Sequence, residues 1–230
     1  VMVMAAPIAF YMGVYTKRWT IRAGCLVAAI LIAHVVLLSF SRGGQLGLII
    51  VGLMIFTAAM VSLPNRWVTL LVAVLFTAAV LELAGPSVRE EFATIFLDKE
   101  ERDASANSRF VTWEAGLKCM LDNPIGMGPR QFNAVAQHYG LGGNKSVHNL
   151  FIQTGADYGV LGLIGLAGFY ILSALQSWTM TLTKTARALR WPQYFGYMVI
   201  TSLAGMMVCS QFIGMESVET GFILSTLGLC

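Results

Sequence analysis

The sequence predicts an all-α protein, a bundle of membrane-crossing helices interrupted by one long, partly helical loop. Three observations carry that expectation. Hydrophobic residues make up 57% of the chain and charged residues only 12%, about half the roughly 25% usual in soluble domains. The apolar residues gather into runs close to the roughly 20 residues that a bilayer-crossing helix needs. The charged and turn-forming residues concentrate between two of those runs.

The runs fall at 1–16, 23–40, 43–63, 67–84, 152–178 and 195–214, with part of another from 218. Residues 1–84 therefore read as about four transmembrane helices, the first truncated. Residues 85–147 read as an outer loop with short amphipathic helices, and 148–230 as about two complete transmembrane helices and a truncated last one. The chain begins Val-Met-Val-Met and stops inside an apolar run at Cys230, so it reads as part of a longer protein, and no signal-peptide pattern is visible. Cys25, Cys119, Cys209 and Cys230 show no paired or metal-ligand spacing.

Orientation follows from the Lys and Arg residues of the short loops. Lys17, Arg18 and Arg22 lie in the first, Arg66 in the third, and Lys184, Arg187 and Arg190 in the fifth, with no acidic residue among them; these loops are expected to face the cytoplasm. Arg42, the long fourth loop, and Glu216 and Glu219 of the sixth then share the opposite side. The net charge of +3 is accounted for by this topology and points to no nucleic acid.

On the outer side, three residues invite a chemical reading. Arg42, in "SFSRGGQLGLII", stands on the side disfavoured by the positive-inside rule, at a helix start that Ser41 is placed to cap. Arg109, in "ANSRFVTWEAGLKCML", is expected in the first turn of an amphipathic helix capped by Asn107 or Ser108. A cation there opposes the helix dipole and suggests an anion nearby, or a salt bridge to Glu101 or Asp103. The large residues Phe110, Trp113, Leu117, Met120 and Leu121 recur at helical spacing, and this face is expected to pack on the membrane bundle. "NPIGMGP" then supplies a tight turn before a second short helix near 130–138.

His148 is the third. With Ser146 as cap it is expected in the first turn of the span that follows, where the helix N-terminus favours a neutral imidazole able to accept a proton. Asn149, Gln153 and Asp157 form a polar stripe along that helix, which must face protein or water because such groups are costly in lipid. Gly155, Gly159 and Gly162 allow close packing on the other face. His34 and His138 read as structural. Three helix N-termini bearing Arg42, Arg109 and His148 would suit a phosphorylated lipid head group with a base beside it.

These residues also resemble a known family. "HNLFIQTGADYGVLG" fits H-N-x9-G-x-x-G and "RGGQL" fits R-x3-L, the signatures of the bacterial O-antigen ligase and polymerase superfamily, and "NPIGMGP" is similar to part of its periplasmic loop. The resemblance covers residues 40 to 165. It implies a type C glycosyltransferase-like bundle in the bacterial inner membrane, with about twelve helices, several preceding this chain. It implies transfer of a glycan from undecaprenyl diphosphate to an acceptor hydroxyl, on lipid A-core or a protein, at the periplasmic face. In that chemistry Arg42 and Arg109 would bind the diphosphate and His148 would deprotonate or orient the acceptor, with Asn149, Gln153 and Asp157 also lining the substrate site. Direct attack would invert the anomeric centre, and no metal or other cofactor would be needed. A ligase is favoured; the alternatives are a repeat-unit polymerase of the same superfamily and a transporter or flippase of lipid-linked sugars, which would need the arginines but no base.

Overall fold

The computed structural model describes residues 2–39, 41–62, 104–142 and 145–212, isolated positions between 66 and 85, and residues 223 and 225–228. Most of the expected span at 67–84 and most of the partial one from 218 lie outside the described residues, as do Glu101, Asp103, Glu216 and Glu219. Among the described residues every regular element is helical: α1 (Met2–Tyr15), α2 (Trp19–Leu38), α3 (Arg42–Ser62), α4 (Ala104–Asp122), α5 (Phe132–Val135) with a 3-10 turn Ala136–Tyr139, α6 (Leu150–Leu182), α7 (Lys184–Leu189) and α8 (Trp191–Cys209). Three of these, α2, α3 and α6, are long and apolar enough to cross a membrane.

The bundle is organised around α8, which packs on α1, α3 and α6. Lipid tails are as apolar as leucine, so helices in a membrane associate through close contact and hydrogen bonds rather than through exclusion of water. The contacts here have that character. A Cβ on Gly205 would lie 2.7 Å from Val51, and one on Gly47 would lie 2.7 Å from the Cys209 Sγ, so both positions hold glycine for close approach. The Ser202 hydroxyl donates to the Met4 carbonyl at 3.0 Å, and that of Ser173 to the Ser225 carbonyl at 3.0 Å. Leu166, Tyr170, Val199, Leu203 and Met206 pack inside the bundle, while other bulky residues, Leu31, Leu53, Leu161 and Leu172 among them, point outward.

A second layer lies at one end of the bundle. It is made of α4, α5, the 3-10 turn and the first residues of α6, around a core of Ala115, Cys119, Phe132, Ala136, Leu141, Val147 and Ala156. Phe132 stacks on Tyr139 with ring centroids 6.5 Å apart. Burial pushes the Cys119 thiol up, which keeps it in the unreactive neutral form.

Two expectations for α4 are corrected. The helix begins at Ala104, before Asn107 and Ser108, so Arg109 stands in the second turn rather than the first. The face that packs is also only partly the bulky one: Trp113 packs on the core of this layer and Met120 against Gly155. Thr112, Ala115 and Cys119 are buried while Phe110, Leu117 and Leu121 are exposed. The reason is steric: a Cβ on Gly116 would come 2.7 Å from Ile152, an approach that only the small side of α4 permits.

The two layers are joined at a break in α6. Gly159 has φ 71 and ψ −170, a combination open essentially to glycine alone. The break frees backbone groups on both sides, and the turn after α4 takes them up. Met127 N donates to the Ala156 carbonyl at 3.1 Å and Gly128 N to the Asp157 carbonyl at 2.9 Å, while Val160 N donates to the Pro124 carbonyl at 3.0 Å. So close an approach excludes side chains: a Cβ on Gly126 would fall 2.5 Å from the Asp157 carbonyl oxygen, and one on Gly159 would collide with that of Pro124. The glycines of "NPIGMGP" and the first glycine of H-N-x9-G-x-x-G are therefore two halves of one joint. Unbroken, the 33 residues of α6 would extend roughly 50 Å at 1.5 Å per residue. With the break, the run from Val160 to Leu182 suffices for a span, and the polar stripe sits ahead of it in the outer layer.

Candidate functional site

The local structure around His148 differs from the expected helical turn. Asn149 is the N-cap of α6, its side-chain oxygen accepting from Phe151 N at 3.0 Å and Ile152 N at 3.2 Å. His148 therefore precedes the helix, with φ 51, in the left-handed region that few non-glycine residues occupy. The first-turn position that the argument for a neutral imidazole needed is held by Leu150. Ser146, the expected cap, instead places its hydroxyl 3.1 Å from His148 Nε2. The imidazole itself is exposed.

Neighbouring groups hold this unusual backbone. Val147 N donates to Gln153 Oε1 at 3.3 Å, and Gln153 Nε2 donates to the two Asp157 carboxylate oxygens at 3.3 and 3.2 Å. Asp157 is 1% exposed. The polar stripe thus faces protein, and its side chains are committed to one another and to the segment that carries His148. Asn149 is equally committed: besides capping, its Nδ2 donates to Gln211 Oε1 at 3.0 Å. In this arrangement Asn149, Gln153 and Asp157 hold the backbone beside His148 rather than line an open substrate surface.

Arg42 is the first residue of α3, and Ser41 caps that helix, accepting from Gly44 N at 3.3 Å. A Cβ on the adjacent Gly43 would lie 2.7 Å from the Phe212 ring. Arg109 reaches the same ring from α4, its guanidinium carbon 5.6 Å from the centroid, a cation–π contact. Trp113 approaches it too, with centroids 6.4 Å apart.

The turn that follows α8 therefore touches the elements that carry all three expected residues. Leu150 N donates to the Ser210 carbonyl at 2.9 Å, Gln211 binds Asn149, and Phe212 touches Gly43 beside Arg42 and carries Arg109. Thr112 closes the circuit, donating to the Arg109 carbonyl at 2.8 Å and lying 3.5 Å from the Val147 carbonyl. Sequence reasoning missed Thr112, Gln211 and Phe212. For Gln211 a signal existed, a polar "SQ" pair ending an apolar run; for Phe212 none did. Chemically, the arrangement offers one guanidinium at a helix start, Arg42, and another in the second turn of α4, Arg109, near an aromatic ring, with an exposed imidazole on the adjoining strap. Among the described residues no three His, Cys, Asp or Glu side chains come together that could hold a metal ion.

Comparison with protein families gives one match: the model described as O-antigen ligase matches residues 26–167, more than half of the chain and all three of these residues. No curated protein matches the chain.

Proposed function

The chain belongs to the O-antigen ligase family, and from that premise we propose a membrane glycosyltransferase that moves a glycan from undecaprenyl diphosphate to an acceptor hydroxyl on the periplasmic face. Family membership and three apolar helices make it a bacterial membrane protein with glycosyltransferase-like ligase activity in general terms. The donor, the acceptor and the residue roles are our reading.

The observation that supports it is the turn Ser210–Phe212, which ties the His148 strap, the Arg109 helix and the start of α3 to one place. In the reaction the acceptor oxygen attacks the anomeric carbon as the bond from that carbon to the diphosphate breaks. The acceptor proton passes to the His148 imidazole, and the negative charge gathering on the leaving diphosphate is met by Arg42 and Arg109, whose planar forks match its oxygens. Attack from the face opposite the leaving group inverts the anomeric centre. This chemistry calls on no metal ion. The acceptor is lipid A-core or a protein hydroxyl, and the cytoplasmic membrane holds the protein with its basic loops inside.

The test is transfer in purified full-length protein, supplied with lipid-linked glycan and acceptor. A general base contributes roughly 10²–10⁴-fold, so His148→Ala is expected to lose transfer by that factor while donor binding persists, whereas Arg109→Ala should weaken donor binding as well. Wild-type transfer rates in the His148 variant would reduce the histidine to a structural residue. Movement of the lipid across liposomes with no new glycosidic bond would make the protein a transporter.

A further inference from the structure

Among the described residues, the side of α4 that carries Phe110, Leu117 and Leu121 meets no protein partner, and the attitude of the helix bears on what covers it. At 100° per residue, Phe110, Leu117 and Leu121 fall within a narrow arc, directly opposite the buried Thr112, Ala115 and Cys119. Leu121 is 73% exposed and Ile125, just beyond the helix, 88%. An exposed apolar stripe of this kind on a helix outside the spans marks a protein or membrane contact.

Two contacts fix the attitude of α4 relative to the bundle. Near its N-terminal end, Arg109 and Trp113 lie against Phe212, which follows the end of α8 and packs on Gly43 at the start of α3. Past its C-terminal end, the Pro124 carbonyl accepts from Val160 N at 3.0 Å, where the spanning part of α6 begins. Both ends of the helix thus touch the level at which spans terminate, so α4 runs along that level instead of rising from it. The stripe is moreover continuous with an outward apolar surface: Ile125 adjoins Gly159, and beyond the break come the exposed Leu161 and Ile164.

We infer that α4 is an interfacial helix whose Phe110–Leu117–Leu121 stripe, extended by Ile125, is seated in the head-group and acyl boundary of the bilayer. Amphipathic helices lie in this plane with the apolar face sunk a few ångströms and charges flanking it. The flanking charges are present: Lys118 pairs with Glu114 at 2.8 Å, both exposed. Arg109 then stands at head-group depth on the other flank, where a phosphorylated lipid presents its charge without leaving the membrane. The placement rests on the membrane position of the bundle and not on the transfer chemistry.

The test uses full-length protein, with its native cysteines replaced, in phosphatidylcholine nanodiscs. A single cysteine at Leu121 or Leu117 carries an environment-sensitive fluorophore, and Lys145→Cys, at an exposed position beside His148, serves as the aqueous reference. Lipids brominated near the head of the acyl chain should quench the fluorophore at 121 and 117 several-fold more than at 145, and iodide should do the reverse. Quenching of 121 and 117 by iodide alone would place the stripe in water, and quenching by neither would mean that protein covers it; either result overturns the inference. Because the readout is depth, it stands or falls independently of whether the enzyme transfers a glycan.

Discussion

The bundle and the outer layer are held together by different means. In the bundle, α8 meets its neighbours through Gly47, Gly205 and single hydroxyls as well as through an apolar cluster of Leu166, Tyr170, Val199, Leu203 and Met206. The outer layer has a conventional core with Phe132 at its centre, and three backbone hydrogen bonds fasten it to the break in α6. Where lipid surrounds the helices, burying a leucine gains little, so fit and polar contacts carry the association. For helices that lie outside a bilayer the exclusion of water adds to this, and apolar burial is worth roughly 25 cal/mol per Å².

Substitutions can break this comparison at its joint. The largest effect is expected for Gly159→Ala, which adds a Cβ against the Pro124 carbonyl and forces a side chain into a glycine-only conformation. It should abolish transfer and lower thermal stability sharply. Gly168→Ala, in the same helix where an added Cβ meets nothing within 4 Å, should leave both intact. Equal behaviour of the two variants would mean that the break does not organise the outer layer.

Next comes the outer core. Phe132→Ala removes a fully buried ring and should cost about 3–5 kcal/mol, read as loss of ordered α4 in hydrogen exchange while the bundle amides stay protected. Simultaneous loss of protection in α8 would show that the two layers unfold as one.

Asn149 sharpens the link between them. Removing the cap with Asn149→Ala should cost about 1 kcal/mol, seen as a lower midpoint of thermal unfolding. Asn149→Asp keeps the capping oxygen but cannot donate to Gln211, so it should retain most of the stability while losing activity if the Gln211 contact aligns the strap. The smallest effect is expected inside the bundle. Ser173→Ala deletes one hydroxyl bond to the Ser225 carbonyl and should cost about 0.6 kcal/mol, the average for such bonds in membranes.

How far the sequence foretold this arrangement depended on the range of the interactions involved. Local features were legible: Ser41 caps α3 and accepts from Gly44, and the apolar runs marked α2, α3 and the spanning part of α6. Features set by distant residues were not. Ser146 and Asn149 are both competent caps, and only the left-handed backbone of His148, held through Gln153 and Asp157, decides for the later one. The break at Gly159 hides inside a continuous apolar run because its cause, the Pro124–Gly128 turn, lies well upstream. For α4 the bulky residues were the natural choice for packing; Trp113 and Met120 do pack, while the close approach of Gly116 to Ile152 leaves Phe110, Leu117 and Leu121 turned away. The three candidate residues stood out individually in the sequence, yet the contacts of Ser210–Phe212 with the elements that carry them could be found only in three dimensions.

The joint at Gly159 also has a consequence for biosynthesis. The chain is made from its N-terminus, so α4 and the Pro124–Gly128 turn emerge before α6 exists. Until Val160 and Ala156 arrive, the turn's carbonyl and amide groups are bonded to water, and Phe132 has no Val147 or Ala156 to complete its cavity. The outer layer therefore cannot set until the following span has been threaded into the bilayer. A nascent chain halted before α6 therefore has neither the joint nor the contacts with Gln153 and Asp157 that hold the backbone beside His148.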